Sequence, residues 1–164
     1  MDRLTLPLPI PAELQCAVLA LNNAHAVELS WLEPDRLAAL LGQALHARRI
    51  GAVEAFLLAF DQAAQYDSPN FLWFRQRLQR FVYIDRVVVD PQARRRGHAR
   101  RLYDDLFAAA AGAGHATVAC EVNTDPPNPG SDAFHAALGF AEVGRAAIHR
   151  GAKTVRYLAA ALTS

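Results

Sequence analysis

Arg94-Arg95-Arg96-Gly97-His98-Ala99 joins the β-branched run Val87-Val88-Val89, which closes on Asp90-Pro91, to a stretch where Leu102, Tyr103, Leu106, Phe107 and Ala110 recur at helical spacing. That periodicity places the first turn of a helix, with backbone N–H groups that find no partner inside it, at about residues 95 to 99. A helix N-terminus carries partial positive charge, and glycine at position 97 leaves no side chain to hold an anion off the backbone. The junction reads as an anion cradle suited to phosphate, on the way from a strand into a helix.

The cradle's spacing is Arg94, two residues, Gly97, one residue, Ala99, after a Val-x-Val strand. It resembles the coenzyme A pyrophosphate loop of GNAT-type N-acetyltransferases. Further on, Asn128-Pro129-Gly130-Ser131-Asp132-Ala133-Phe134-His135-Ala136-Ala137-Leu138-Gly139-Phe140 resembles that family's Asn-x-x-Ala-x-x-Phe-Tyr-x-x-x-Gly-Phe segment, in the right order. The likeness runs from about Val82 to Gly144, whereas Met1 to Phe81 matches only in its order of elements. Three positions depart from the pattern: Arg95 stands where glycine is frequent, Ser131 where alanine is frequent, and His135 where many members carry tyrosine.

The resemblance implies an α/β fold, a GNAT-like mixed central sheet flanked by helices, with a splayed pair of parallel strands at the cofactor site. It implies acetyl-CoA as cofactor, coenzyme A as product, and acyl transfer to a primary amine by direct attack in a ternary complex. The pyrophosphate falls to Arg94, Arg95, Arg96, Gly97, His98, Ala99 and Arg100, and the pantetheine to main-chain groups of Val87, Val88 and Val89. Asn128 and Ser131 match positions near the thioester, although Asn128 serves equally well as a turn former. His135 takes the place of the tyrosine that protonates the departing thiolate, a task an imidazole can perform, with a purely structural histidine packed beneath a loop as the alternative.

Composition agrees with a single acetyltransferase domain over residues 1–164: 52% apolar and 20% charged residues make a globular profile with enough chain for one substantial core. A formal net charge of +1 gives no bulk electrostatic reason to expect a nucleic-acid partner. Asp104 and Asp105, four residues after Arg100 and Arg101, are placed to pair with them along the helix. Cys16 and Cys120 read as small buried hydrophobes, with no disulfide scaffold and no metal site implied. Neither a secretory leader nor an apolar run near eighteen residues is present, so cytoplasmic residence is the expectation. The family likeness adds a homodimer.

Along the chain, Asp2 to Pro11 reads as an irregular or edge strand. Helices are expected over Ala12 to Asn23 and from Pro34 to about Gln43 with Leu37, Leu40 and Leu41 inward. Ala44 to Arg49 and Ala52 to Phe60 flank Ile50-Gly51 as paired strands. Asp61 to Asn70 is a loop, Phe71 to Arg80 a short helix, and Phe81 to Val89 a strand. Gly112-Ala113-Gly114 stops the central helix before a strand over Thr117 to Val122. Pro126 to Gly130 excludes regular structure, Ser131 or Asp132 caps a helix through Leu138, and Phe140 to Ala147 with Thr154 to Ala161 closes the fold as two strands.

For the chemistry, period-two alternation puts Asp85 on a strand face with Phe81, Tyr83, Val87 and Val89, and Arg86 on the opposite face with Val82, Ile84 and Val88. A carboxylate there is costly unless paired or solvated. Asp85 and Glu121 are therefore both candidates for the base that takes the amine's proton, each with a structural salt bridge to an arginine such as Arg86 as the alternative. Tyr66-Asp67-Ser68-Pro69-Asn70-Phe71, with Trp73 behind it, reads as an acceptor-contacting loop; Tyr66, Asp67, Ser68 and Tyr83 are the acceptor candidates. His98 contributes at least its backbone to the cradle, and His115 is expected at the surface. Two other function classes stay open, a coenzyme A-binding module without catalysis and an RNA-binding domain using Arg94 to Arg101. The phosphate-loop NTPase and dinucleotide dehydrogenase signatures are missing.

Overall fold

The computed structural model describes residues 1–3, 10–125 and 127–163. Seven strands form one sheet: β1 (Asp2–Arg3), β2 (His46–Ile50), β3 (Ala55–Asp61), β4 (Val82–Val89), β5 (Thr117–Asn123), β6 (Ala141–Ile148) and β7 (Lys153–Ala161), in the order β1-β2-β3-β4-β5-β7-β6. Every neighbouring pair is antiparallel except β4 and β5. The helices are α1 (Ala12–Asn23), α2 (Ala26–Leu29), α3 (Pro34–Gln43), α4 (Pro69–Arg75), α5 (His98–Gly112) and α6 (Pro129–Ala137). Helix α5 is the long crossover between the two parallel strands, as a parallel pair requires.

Two apolar layers sandwich the sheet. Alternation along β3 sends Phe56, Leu58 and Phe60 to one layer with Val18, Leu37, Leu40, Leu41, Phe71 and Phe74 of α1, α3 and α4. It sends Ala55, Leu57 and Ala59 to the other, with Leu102, Tyr103, Leu106 and Ala110 of α5. Every one of these side chains is at most 2% exposed except Leu41 at 3%, so both helix faces carry a continuous burial stripe. Tyr157 on β7 stacks on Trp73 of α4 at 4.2 Å, and Gly144 on β6 leaves the room, since a Cβ there would collide with the indole.

Strand β4 breaks the alternation. Leu58 pairs with Arg86 but the next residue of β3, Ala59, pairs with Ile84, so Asp85 is an extra residue, a β-bulge. One inserted residue exchanges the two faces beyond it. Tyr83 and Val88 therefore belong to the α1/α3/α4 layer, while Val82, Ile84, Val87 and Val89 belong to the α5 layer. The expected grouping of Asp85 with Val87 and Val89, and of Arg86 with Ile84, is overturned: the Asp85 and Arg86 side chains bond to each other and to groups of the first layer.

Other expectations also shift. Asn128 caps α6 by accepting from Ser131 N, so Pro129 and Gly130 are helical and neither Ser131 nor Asp132 is the cap. Proline tolerates a helix's first turn because its missing N–H has no partner there. Asp105 bonds His46 at 2.9 Å and Arg48 at 3.2 Å on β2, not Arg101, whereas Arg100 and Asp104 do pair. Cys16 is exposed, Cys120 is buried, and His115 is buried, not at the surface. The edge strand is real at Asp2–Arg3; residues 4–9 and Pro126 lie outside the described residues. The short helix α2 escapes the sequence reading, having only four residues.

Candidate active site

The cradle forms where the sequence places it. Asp90 accepts from Gln92 N and starts a 3-10 turn over Pro91–Ala93; Gly97 then caps α5 with φ of 75°. Arg95 also lies in the left-handed region at φ 65°, a conformation that costs a side-chain-bearing residue about 1 kcal/mol or more. Alternating left-handed residues turn successive amides toward one point, which is how a backbone nest receives an anion. No side chain caps α5, and its first amide bonded back along the chain is that of Arg101, to Gly97 O at 3.0 Å. A Cβ at Gly97 would meet nothing within 4 Å, so the space above the amides is open. This is a fit for a pyrophosphate. His98 closes the underside, its Nε2 2.9 Å from Glu54, whose backbone carbonyl accepts from Asp90 N.

Parallel pairing between β4 and β5 is confined to Val82 with Val118 and Tyr83 with Ala119. Beyond Tyr83 the strands part, leaving strand backbone free of its neighbour. A cleft of about 780 Å³ opens there, lined on β4 by Ile84 to Val87 and on β5 by Cys120 to Asn123. The splay implied by family likeness is thus present in the hydrogen-bond register itself.

At the floor on the α1/α3 side, Asp85 is fully engaged. One oxygen accepts the Tyr66 hydroxyl at 2.6 Å and the other accepts Arg86 Nε at 2.6 Å; Arg86 also donates to Asn22 at 2.9 Å. Burial, then the charge of Asp85, pushes the Tyr66 hydroxyl far up, so it stays a donor. The ion pair is 4% and 6% exposed, a buried structural pair that the bulge makes possible by placing both side chains on one side.

Glu121 is different. It accepts the Tyr83 hydroxyl at 2.7 Å, and nearby Asn70, whose oxygen accepts the Tyr157 hydroxyl at 3.0 Å, favours its charged form. Burial raises its pKa to about 7; the Tyr83 hydrogen bond opposes that shift and the charge of Asp85 adds to it. Crowded by protein yet reached from the cleft, this carboxylate is raised into the range where a general base works near neutrality.

On the opposite, α5 side of the splay, Tyr103 and His135 meet. His135 Nδ1 lies 2.8 Å from Ser131 O, an acceptor only, so it carries the proton; Nε2 then accepts the Tyr103 hydroxyl at 2.8 Å. Burial lowers the His135 pKa, partly offset by the Ser131 carbonyl, so the ring is neutral. Both residues line the cleft beside Cys120, whose thiol burial keeps protonated.

The cleft thus gathers Asp85, Glu121, His135, Val87, Asn128, Ser131, Tyr66, Ser68 and Tyr83 from the residues singled out in the sequence. Asp67 points outward to Arg36, Trp73 packs on Tyr157, and Val88 is buried in the core. Arg94, Arg95, Arg96, Gly97 and Arg100 form the exposed cradle beyond it, where Arg96 reaches Glu54 at 3.8 Å. Sequence reasoning missed Tyr103 as the partner of His135, Asn70 beside Glu121, and Asn22 beneath Arg86. Tyr103 carried a weak signal, a hydroxyl on an otherwise apolar helix face.

Comparison with known proteins agrees with this geometry. No curated protein sequence matches the chain. Among solved structures, Ard1 from Thermoplasma volcanium aligns with a TM-score of 0.72 at 14% identity, over 94% of this chain and 95% of that one. The NatC complex bound to Gag peptide and CoA aligns at 0.70 and 13%, over 93% of each chain. An N-acetyltransferase from Staphylococcus aureus Mu50 aligns at 0.68 and 18%, over 94% and 96%. At such identities the likeness is one of fold. The model of the acetyltransferase (GNAT) family matches residues 50–140, more than half of the chain, from the end of β2 through the splayed strands, the cradle and α6. With a parallel pair that separates at its C-terminal end and a glycine-capped crossover helix beside it, the chain belongs to the GNAT acetyltransferase family, whose cofactor is acetyl-CoA.

Proposed function

We propose that the chain transfers an acetyl group from acetyl-CoA to a primary amine by direct attack in a ternary complex, with Glu121 as the general base. The observation that carries this reading is a buried carboxylate that reaches the cleft where β4 and β5 part, held by the Tyr83 hydroxyl at 2.7 Å; burial pushes it up toward neutrality. When bound, the cofactor supplies a thioester carbon; the chain's own groups do the rest. The amides of Arg95 to Ala99 hold the pyrophosphate, and the free backbone edge of β4 next to Val87 holds the pantetheine. Glu121 accepts the proton of the acceptor ammonium, which must be lost before nitrogen can attack. Asp85 does not compete for that task, because both of its oxygens are occupied and its charge holds Arg86. His135 is the proton carrier for the departing thiolate: Nε2, unprotonated at rest, takes the second proton that the nitrogen sheds once it has bonded to the thioester carbon, and its lowered pKa favours passing that proton to sulfur as the C–S bond breaks. To donate, Nε2 exchanges the Tyr103 hydroxyl for the sulfur.

The test is release of free coenzyme A thiol in the presence of an amine panel, for the wild type and Glu121→Gln. Thiol release dependent on both amine and Glu121 supports the reading. Acetyl-CoA binding without thiol release for any amine points instead to the binding module. Salt-steep binding of RNA points to the arginine patch, which Glu54 and Asp104 partly neutralise at Arg96 and Arg100.

A further inference from the structure

We propose that the wall formed by residues 27–32 selects an acceptor amine that carries an apolar group beside its nitrogen, seated against Trp31 and Val27; this rests on the acyl-transfer reading of the cleft. Trp31 is 62% exposed and Val27 84% exposed, and both line the cleft that leads to Glu121. Leu29, Leu32 and Ile148 continue the apolar lining. An indole left in water is ordinary when isolated, but here its neighbours are fastened so that it stays out. Asn22 donates to Ser30 O at 2.9 Å; Asn23 accepts from Leu32 N at 2.8 Å and donates to Leu32 O at 2.9 Å. The indole itself donates to Glu33 at 2.8 Å, and Lys153 donates to Val27 O at 3.2 Å.

Between the two asparagine clamps Ser30 has φ 75° and ψ 144°, a backbone region that only glycine enters freely. Strain of this sort persists where surrounding contacts impose it, and Asn22, one of the clamps, also accepts from Arg86 beneath the catalytic floor. The wall is therefore rigid and indexed to the site. Its chemistry also says what it does not receive. Among the described residues, each arginine or lysine lining the cleft already has a partner: Arg36 pairs with Asp67 and lies over the Tyr66 ring, Arg86 with Asp85, and Lys153 with Val27 O. Both arginines of the lining are thus turned to carboxylates of the chain itself, and Lys153 is the lining cation whose charge faces no carboxylate among the described residues. What remains is nitrogen directed to Glu121 and an apolar substituent laid along Trp31 and Val27.

The experiment is steady-state thiol release by the full chain with 2-phenylethylamine and phenylalaninamide against ethanolamine and glycinamide. We expect kcat/KM at least about tenfold higher for the aromatic pair. Trp31→Ala should raise KM for the aromatic amines about tenfold and KM for ethanolamine by much less, with the KM of acetyl-CoA and the circular dichroism spectrum as controls for the fold. Val27→Ser should shift selectivity the same way by less. A preference for a tetrapeptide amide beginning with Phe over phenylalaninamide places the apolar amine at a chain terminus, the reverse preference in a small molecule; both sustain the inference. Equal use of the polar and aromatic amines, or a Trp31→Ala loss shared equally between them, overturns it while leaving acyl transfer intact. Failure to acetylate any amine refutes the acyl-transfer reading and this inference with it.

Discussion

Replacing Glu121 with Gln separates a functional carboxylate from a structural one, because the two respond to pH in opposite ways. Glu121 has its pKa raised by burial from 4.5 to about 7. Between those values the folded chain holds a proton that the unfolded chain has lost, so stability falls as pH rises from about 4.5 to about 7 and is level above. By linkage, the wild type should lose about 2–3 kcal/mol between pH 5 and pH 8 through this one group. Gln is fixed in the neutral form, so the variant should not share that loss. Any constant change from altered hydrogen bonding to Tyr83 or Asn70 is the same at both pH values and cancels in the difference. Denaturant unfolding of both proteins at pH 5 and pH 8, with unchanged m, measures it directly. The same variant should lose about two to four orders of magnitude in turnover above pH 7, and the wild-type rise in activity through about pH 7 should vanish from its profile. If the stability difference between the proteins is identical at both pH values, Glu121 is not held near neutrality and the assignment of the base fails.

Asp85→Asn should behave in the contrary manner, costing about 3–5 kcal/mol of stability by leaving Arg86 buried without its counter-charge; a variant as stable as wild type would remove the ion pair from the account. Gly97→Val should weaken acetyl-CoA binding by more than tenfold in calorimetry, since a β-branched residue is strained at φ 75° and fills the open space over the amides, and unchanged affinity would displace the cradle. His135→Phe should lower turnover about ten- to a thousandfold with acetyl-CoA binding little changed, and His135→Tyr should retain much of it. Tyr103→Phe alone should leave turnover near that of the wild type, because it removes only the hydroxyl that Nε2 must release to reach the sulfur; a loss as large as that of His135→Phe would place Tyr103 in the proton transfer itself.

What the sequence made legible was whatever is local. The cradle is a strand, a glycine and a helix in series, and a contiguous pattern reports it; Asn128 to Phe140 is likewise one turn and one helix. Leu37, Leu40 and Leu41 announce their buried face because a helix's period is uniform. Tyr103 and His135 were both visible as residues but not as a pair, since 32 positions separate them and only the packing of α5 on α6 brings them to 2.8 Å. Asn70, fixed by a hydroxyl 87 positions away, had no local signature: the sequence reads it as the end of a loop, whereas it is the second residue of α4.

The bulge at Asp85 decides the remaining difference, and it does so in the place where the chemistry lies. A strand read with period two must put neighbours on opposite faces, which makes Asp85 and Arg86 unable to pair and leaves Asp85 as good a base as Glu121. One inserted residue lets the two side chains leave the strand on the same side, where Tyr66 and Asn22 complete their bonding. The same irregularity occurs next to the point where β4 parts from β5, so the charged Asp85–Arg86 pair sits beside the opening of the cleft. Consuming Asp85 in an ion pair leaves a fixed negative charge near Glu121, and that charge, with burial, contributes to its raised pKa. A regular β4 would have left the two acids equivalent; the irregular one makes them unequal.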